Sequence, residues 1–305
     1  LKDDLADAAI AARPAVAVLI DAPDFNIRLA KRLKKAGIPV VFYVGPSVWA
    51  WRPGRVKHYR PWIDRLLVLF PFELPIWQAA GVDVQCVGHP LVDEVPEPAA
   101  QELVEPKTVA LMPGSRPSEI RRHLGVMLQA AQGLVKRGLV ERFVLPVAPT
   151  LDADWLAQWV DEAGLSDRVQ LVLSPTGQER RAALARSEVA LVVSGTATLE
   201  TALVGRPQII FYKVQWLSFA IGRLLMTVKH FGLPNIIAGR QVAPELLQGQ
   251  LTAQSLIEHT QRLLAEPEAR AEALAAQQTV RAVLPPAGAG RRAAAAVLDV
   301  VRHLG

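Results

Sequence analysis

A single cysteine, Cys86, stands in a chain of 305 residues. That scarcity excludes an intramolecular disulfide and any cysteine-rich metal site. Long apolar runs are also missing: none reaches the roughly 18 residues that a bilayer-spanning helix needs. Charged residues make up 21%, under the roughly 25% of an average globular protein. The opening Leu1-Lys2-Asp3-Asp4 mixes charges, has no long apolar core behind it, and is not read as a signal peptide. It carries Leu where an initiator Met would stand, which predicts a chain that begins inside a longer gene product. Lys and Arg total 34 against 29 Asp and Glu, a balance of +5. This field suits anionic substrates or an anionic membrane face and is too weak to argue for nucleic acid, which is not expected as a partner.

What the chain does have is apolar material, 51% of its residues, in a length that suggests two domains. Short β-branched and leucine-rich runs alternate with helical patterns. The predicted strands are Ala15–Ile20, Val40–Val44, Leu66–Phe70, Val84–Val87, Thr108–Met112, Arg142–Leu145, Val169–Leu173, Val189–Val193 and Gln208–Tyr212. They are apolar on both faces, as buried parallel strands are. Helices are expected over Phe25–Ala36, Glu119–Arg137, Ala153–Ala163, Gln178–Arg186 and Thr198–Val204. Strands separated in this way imply doubly wound α/β sheets. The proline-bearing Val95–Lys107 stretch reads as a linker. It separates a first Rossmann-like domain, residues 1–97, from a second, 98–285. After Leu251 the pattern turns helical, and a terminal helix at Arg291–Leu304, within 286–305, is expected to complete the first domain.

Two segments of the second domain repeat one physical pattern. Leu111-Met112-Pro113-Gly114-Ser115-Arg116 ends a strand in a small-residue turn, and a long helix opens just after it. Gly114 would let a phosphate approach the backbone, Ser115 offers a hydroxyl, the helix start offers N–H groups, and Arg116 adds a cation. The alternative is an ordinary helix start capped by Ser115 or Ser118. Val193-Ser194-Gly195-Thr196-Ala197-Thr198-Leu199-Glu200 repeats the strand, turn and helix. Ser194, Gly195 and Thr196 leave room for a ligand, and Glu200 could accept hydrogen bonds from two ribose hydroxyls. The alternative there is a capping box of Thr196 and Glu200. Together the two turns suggest a nucleotide lying across the second sheet.

In the first domain Asp21 follows six apolar residues. A carboxylate at a buried strand's exit is expected to be partly desolvated, which suits a general base; an Asx-turn is the plainer reading. Asp24 reads as the N-cap of the next helix. Ser47, Trp49, Trp51 and Arg52 lie in a basic, aromatic stretch suited to an acylated, phosphorylated ligand, a membrane interface or single-stranded nucleic acid; core packing explains the tryptophans equally well. Between Lys213 and Val228, Trp216 and Phe219 belong to an apolar, basic helical pattern that would suit a bilayer interface or packing on the domain. Leu233–Arg240 reads as a loop and turn in which Asn235 could meet a base or phosphate. Metal chemistry is not expected: the six histidines are scattered, and Asp152-Ala153-Asp154 falls at a helix start, where acidic residues complement the dipole.

Taken together, IDAPDFN (Ile20–Asn26), PSVWAWR (Pro46–Arg52), VGHPLVDEVP (Val87–Pro96), LMPGSR (Leu111–Arg116), SGTATLE (Ser194–Glu200) and LPNIIAGR (Leu233–Arg240) resemble the lipid-A-disaccharide synthases, bacterial glycosyltransferases of the GT-B fold. The resemblance implies an inverting transfer of 2,3-diacylglucosamine from its UDP derivative to 2,3-diacylglucosamine 1-phosphate, releasing UDP. It implies work at the cytoplasmic face of the inner membrane, with the membrane surface as a partner. It places Asp21 and Arg116 in catalysis. UDP falls near Gly114, Ser115, Arg116, Ser194, Gly195, Thr196, Glu200 and Asn235. The acceptor or membrane side falls near Asn26, Ser47, Trp49, Trp51, Arg52, Trp216 and Phe219. No metal and no cofactor are expected; a homodimer is a further expectation. The family begins with an additional glycine-rich segment that this sequence does not contain, so an incomplete first domain is expected. Other readings remain: a UDP-N-acetylglucosamine epimerase or another UDP-sugar transferase of the same fold, or a non-catalytic lipid- or nucleotide-binding remnant.

Overall fold

The computed structural model describes residues 2–50, 53–174, 176–214 and 229–304. Trp51, Arg52, Trp216 and Phe219 therefore lie outside the described residues, as does the whole apolar pattern ending at Val228. The described chain forms two units, one from the residues up to Pro96 and from Val283 onward, the other from residues between Glu97 and Ala282.

The first unit opens with α1 (Lys2–Ala12), β1 (Ala17–Ile20), α2 (Pro23–Lys35), β2 (Val40–Tyr43) and α3 (Val56–Tyr59). It continues through β3 (Arg65–Val68), α4 (Leu74–Gln78), β4 (Val84–Cys86) and α5 (Leu91–Glu94). Its four strands pair in parallel in the order β1-β2-β3-β4. Side chains alternate across a strand, and each face has its own cover. Val40, Phe42, Leu66 and Val68 pack with Ile27, Leu29 and Leu33 of α2, Val56 and Tyr59 of α3, and Trp77 of α4. Val41 and Leu67 face the other way, onto Ala293, Ala296 and Val300 of a helix at Ala289–Leu304. Asp93 caps that helix by accepting from the Gly288 and Ala289 N–H groups, and Arg292 Nε donates to the Val87 carbonyl at 2.8 Å. Strand β1 departs from the expected two-sided burial: Val18 is 40% and Ile20 59% exposed.

The second unit contains β5 (Thr108–Met112), α6 (Pro117–Lys136), β6 (Arg142–Val147), α7 (Ala153–Glu162), β7 (Val169–Leu173) and α8 (Gln178–Arg186). It closes with β8 (Val189–Val193), α9 (Thr196–Val204), β9 (Gln208–Tyr212), α10 (Leu233–Ala238), β10 (Glu245–Leu247), α11 (Ala253–Ala265) and α12 (Pro267–Val283). The helix at Ala289–Leu304 is α13. All six strands are parallel, in the order β10-β9-β8-β5-β6-β7. Val109, Leu111, Phe143, Leu145, Val189 and Leu191 form one core with Leu124 and Met127 of α6, Leu156 of α7, and Leu256 and Ile257 of α11. Helices α6 and α11 touch closely enough that a Cβ at Gly133 would lie 2.4 Å from Ile257 Cδ1, so a larger residue there would require the Ile257 side chain to shift.

The Leu233–Arg240 segment corrects its sequence reading: Leu233–Ala238 is a helix ending at Gly239. Asp24 is likewise no cap. Ala22 holds the N-cap position of α2, and Asp24 sits in the first turn, paired with Arg55 at 2.5 Å. Asp152 is the N-cap of α7, accepting from the Asp154 and Trp155 N–H groups at 2.9 and 3.3 Å.

Candidate active site

The strand order of the second unit fixes where a ligand would sit. From β5 the chain steps outward to β6 and β7, then returns to β8 on the other side of β5. Ligands of open α/β sheets bind outside the carboxyl ends of strands where the order reverses. Here that point lies between β5 and β8, paired from Val109↔Val189 to Met112↔Val192. The Gly114–Arg116 turn leaves β5 and the Ser194–Thr196 turn leaves β8, so the two small-residue corners are neighbours.

At the first corner Gly114 has φ +116°, and a Cβ there would lie 2.4 Å from Glu119 Oε2. Glu119 explains why. Its Oε2 accepts from the Ser115 N–H at 2.9 Å and the Arg116 N–H at 3.3 Å. A carboxylate from within α6 thus caps the helix, as neither Ser115 nor Ser118 does, and it occupies the two N–H groups expected to face a diphosphate. The Arg116 guanidinium lies 3.4 Å from Glu119 Oε1 with its side chain 78% exposed. It is the cation this corner presents. Thr150 Oγ1 steadies the turn by donating to the Ser115 carbonyl at 2.7 Å.

At the second corner Gly195 and Thr196 are exposed and open α9. Ser194 turns its hydroxyl to the Phe231 carbonyl at 2.8 Å, which ties the corner to the segment before α10. Asn235 is fully buried. Its Nδ2 donates to Ala243 O at 2.9 Å and Glu245 Oε1 at 2.7 Å, and its Oδ1 accepts from Val242 and Ala243 N–H at 2.7 and 2.9 Å. These four bonds use the donors and acceptor sites of the amide. The expectation that Asn235 touches a base or phosphate is thereby corrected: it is a bracket inside the fold. Glu245 completes the bracket, accepting from the Gly232 N–H at 2.9 Å.

Glu200 is corrected in the same way. It is 1% exposed and receives a two-pronged bond from Arg180, Nε to Oε2 at 2.6 Å and Nη2 to Oε1 at 2.9 Å. Arg181 Nη1 adds a contact at 3.4 Å. The carboxylate holds two guanidinium groups at the start of α8 rather than waiting open for a ribose, and it forms no capping box with Thr196. Arg180, Arg181, Glu119 and Glu245 all escape sequence reasoning. The Arg180–Glu200 pair spans 20 residues and two helices, and no local spacing announces it. Glu119 alone had a signal, a carboxylate three residues after the helix start.

In the first unit Asp21 and Ala22 both have left-handed backbone, φ +51° and +42°, and Val44 at the end of β2 has φ +64°. Such conformations in non-glycine residues cost about 1–3 kcal/mol each and persist where neighbours enforce them. The Asn26 amide does so here, donating to the Ile20 carbonyl at 3.0 Å and the Asp21 carbonyl at 2.7 Å. Asn26 is 8% exposed, so the structure makes it a brace for Asp21 instead of a ligand contact. Asp21 itself is exposed, and the partial desolvation expected at the strand's exit is absent. Ser47 is exposed in the turn after β2.

Trp49, half-buried, stands edge-on to Phe72 with centroids 5.1 Å apart, and Phe72 stacks on Phe70 at 5.3 Å. Beneath them lies Glu73, 4% exposed. Its Oε1 accepts from the Leu69 and Phe70 N–H groups at 3.2 and 3.1 Å and so caps the short helix at Pro71–Glu73. Burial pushes the Glu73 carboxyl up to about 7, against the opposing pull of the backbone N–H groups that it accepts from. Among the described residues no cluster of His, Cys, Asp and Glu is suited to a metal ion.

Solved structures that share this architecture include MurG of Acinetobacter baumannii, with a TM-score of 0.60 and 12% identity over 98% of this chain and 77% of that one. A putative UDP-N-acetylglucosamine 2-epimerase from Listeria monocytogenes has a TM-score of 0.59, again at 12% identity, over 90% of this chain and 72% of its own. Two parallel α/β units with these neighbours define the class as the GT-B fold. Within that class, the sequence profile of lipid-A-disaccharide synthetase matches residues 1–297. The lipid-A-disaccharide synthase of Anaeromyxobacter dehalogenans strain 2CP-1 is 44% identical over 305 residues, covering 98% of this chain and 78% of the relative. That of Syntrophus aciditrophicus is 42% identical, covering 95% and 76%. The chain belongs to the lipid-A-disaccharide synthetase family. It is a glycosyltransferase, and its reaction joins 2,3-diacylglucosamine from the UDP derivative to 2,3-diacylglucosamine 1-phosphate with release of UDP. The epimerase alternative is not favoured, because its likeness is one of fold at 12% identity.

Proposed function

We propose that the second unit holds the UDP-sugar across the β5/β8 corners and that the first unit activates the acceptor hydroxyl. The observation that carries this reading is the adjacency of the two corners where the strand order reverses. Arg116 faces the diphosphate and offsets the charge that develops as the glycosidic bond to UDP breaks. Gly195 and Thr196 offer an exposed helix start to the same anion, and Glu200 acts through Arg180 and Arg181. Asp21 takes the proton of the attacking hydroxyl as the anomeric carbon is approached from the side opposite UDP. In this reading protein cations and N–H groups meet the diphosphate charge without a metal. Hydrogen exchange with and without UDP tests it: protection should rise over 113–118 and 194–198. UDP binding that protects neither corner would refute it.

The acylated substrates and the net charge of +5 support a peripheral place on an anionic membrane surface, at the cytoplasmic face of the inner membrane. Among the described residues no helix is long and apolar enough to cross a membrane. The protein is expected to float with anionic phospholipid vesicles in a density gradient and to stay at the bottom with zwitterionic ones. Sedimentation alike in both would count against a membrane face.

A further inference from the structure

One side of the first unit is cationic. Along α2, Arg28, Lys31 and Lys35 follow one another at spacings of three and four, which sets them on one side of the helix. Ile27, Leu29, Ala30 and Leu33 on its other side are buried. Lys31 joins this stripe to α3: its Nζ lies 3.3 Å from His58 Nε2 and 5.8 Å from the centre of the Trp62 ring. Val56 and Tyr59 of α3 are buried, while Lys57, His58 and the following Arg60 are exposed. Other cations of these elements have structural partners. Arg32 pairs with Asp7, Lys34 with Asp64 at 2.6 Å, and Arg55 with Asp24, the acidic residue that heads the stripe. No carboxylate among the described residues lies within ion-pair distance of Arg28, Lys31, Lys35, Lys57 or Arg60. Lys35 stands in the last turn of α2, where a cation suits the helix dipole. Arg28 and Lys31 have no such reason, and like charges a turn apart weaken a helix. Without these five residues the chain's Lys and Arg equal its Asp and Glu in number, so the rest of the chain is balanced. Two rings stand beside the charges. Phe25, one turn before Arg28, is 40% exposed, and Trp62 is half-buried against Lys31. Cations with aromatic rings among them suit the headgroup layer of an anionic bilayer.

We propose that this side of the first unit, with Arg28, Lys31, Lys35, Lys57 and Arg60 as its charges and Phe25 at its margin, is the face that meets anionic phospholipid headgroups. It deepens the membrane reading given above and rests on it. Helix α2 opens two residues after Asp21, so a bilayer held along this helix presents acylated sugars at the turn that carries the carboxylate.

Co-sedimentation with vesicles of phosphatidylglycerol and phosphatidylcholine tests it. Arg28→Gln, Lys35→Gln and Lys57→Gln together remove three charges that hold no carboxylate among the described residues, so the triple variant should unfold at the wild-type temperature. A cation close to an anionic surface is worth about fivefold in affinity, and the triple variant is expected to bind about 10²-fold more weakly than the wild type. A control with Arg122→Gln, Lys136→Gln and Arg240→Gln loses the same charge from the second unit. It is expected to bind like the wild type, because charges beyond a Debye length from the bilayer are screened. Turnover in neutral detergent micelles should be equal in the triple variant and the wild type, which separates lost docking from lost chemistry. Triple-variant binding equal to that of the wild type, or an equal loss in the control, would overturn the proposal and leave the membrane reading standing. Wild-type protein that binds no anionic vesicle removes the membrane reading and this face with it. Binding of single-stranded polyuridylate in place of vesicles would give the face to nucleic acid and overturn the proposal too. Arg28→Gln alone, with an expected loss of about fivefold, keeps the test open should the triple variant fail to fold.

Discussion

Asp21→Asn is expected to lower kcat by about 10²–10⁴-fold, the contribution typical of a positioned general base, with UDP affinity unchanged. Asparagine isolates the chemistry from the fold. It has the same shape, and asparagine, like aspartate, tolerates left-handed backbone, so the φ of +51° at position 21 survives. The Asn26 brace contacts the carbonyls of residues 20 and 21 and not the side chain, so it too survives. The carboxylate is exposed, and the variant should therefore unfold at the wild-type temperature. Single-turnover assays with saturating donor would show the loss in the chemical step. A variant that turns over at the wild-type rate would remove Asp21 from proton transfer.

Arg116→Ala is expected to cost about 10²-fold or more in kcat, the scale of removing one preorganised donor from a developing negative charge. Stability should hardly change. The side chain is 78% exposed and its contact with Glu119 is 3.4 Å long, and exposed ion pairs contribute little. The cap of α6 is made by backbone N–H groups and Glu119, and it remains. Arg116→Lys should recover part of the rate, since it restores the charge without the planar fork. With a chelator present throughout, wild-type turnover should persist and the variant's deficit should stay the same. Equal rates for Arg116→Ala and the wild type would place the leaving-group charge elsewhere.

The central strands were legible because parallel strands buried on both faces read as unbroken apolar runs. Thr108–Met112, Val189–Val193 and Gln208–Tyr212 have the expected bounds; Val169–Leu173 does too, although it is an edge strand with Leu173 exposed and not buried on both faces. So does the helix Gln178–Arg186. Strand β10 escaped because three residues show no periodicity, and α10 because Pro234 looked like a breaker although proline is tolerated in a helix's first turn. At the site, the glycine and serine corners were visible because the chain there must turn sharply between a strand and a helix. The partners of Glu200 and Asn235 were not. Both side chains looked available in sequence, and both are consumed by groups that tertiary structure brings in, Arg180 in one case and Glu245 in the other. Polarity in a motif records that a hydrogen bond is needed and does not say with what. Glu73 carries the same N3 signal as Glu119, a carboxylate two residues after a proline, but its burial could not be read from the sequence.

Helix α13 covers one face of the first sheet with residues made after the whole second unit. On the ribosome, then, Val41 and Leu67 keep a bare apolar side until Ala289–Leu304 has emerged, while the six-stranded unit already has its own interior. The later unit is free to mature first and the earlier one last, an order opposite to that of synthesis. Closing so long a loop slows the final step of folding, and chaperone dependence should concentrate on that exposed sheet.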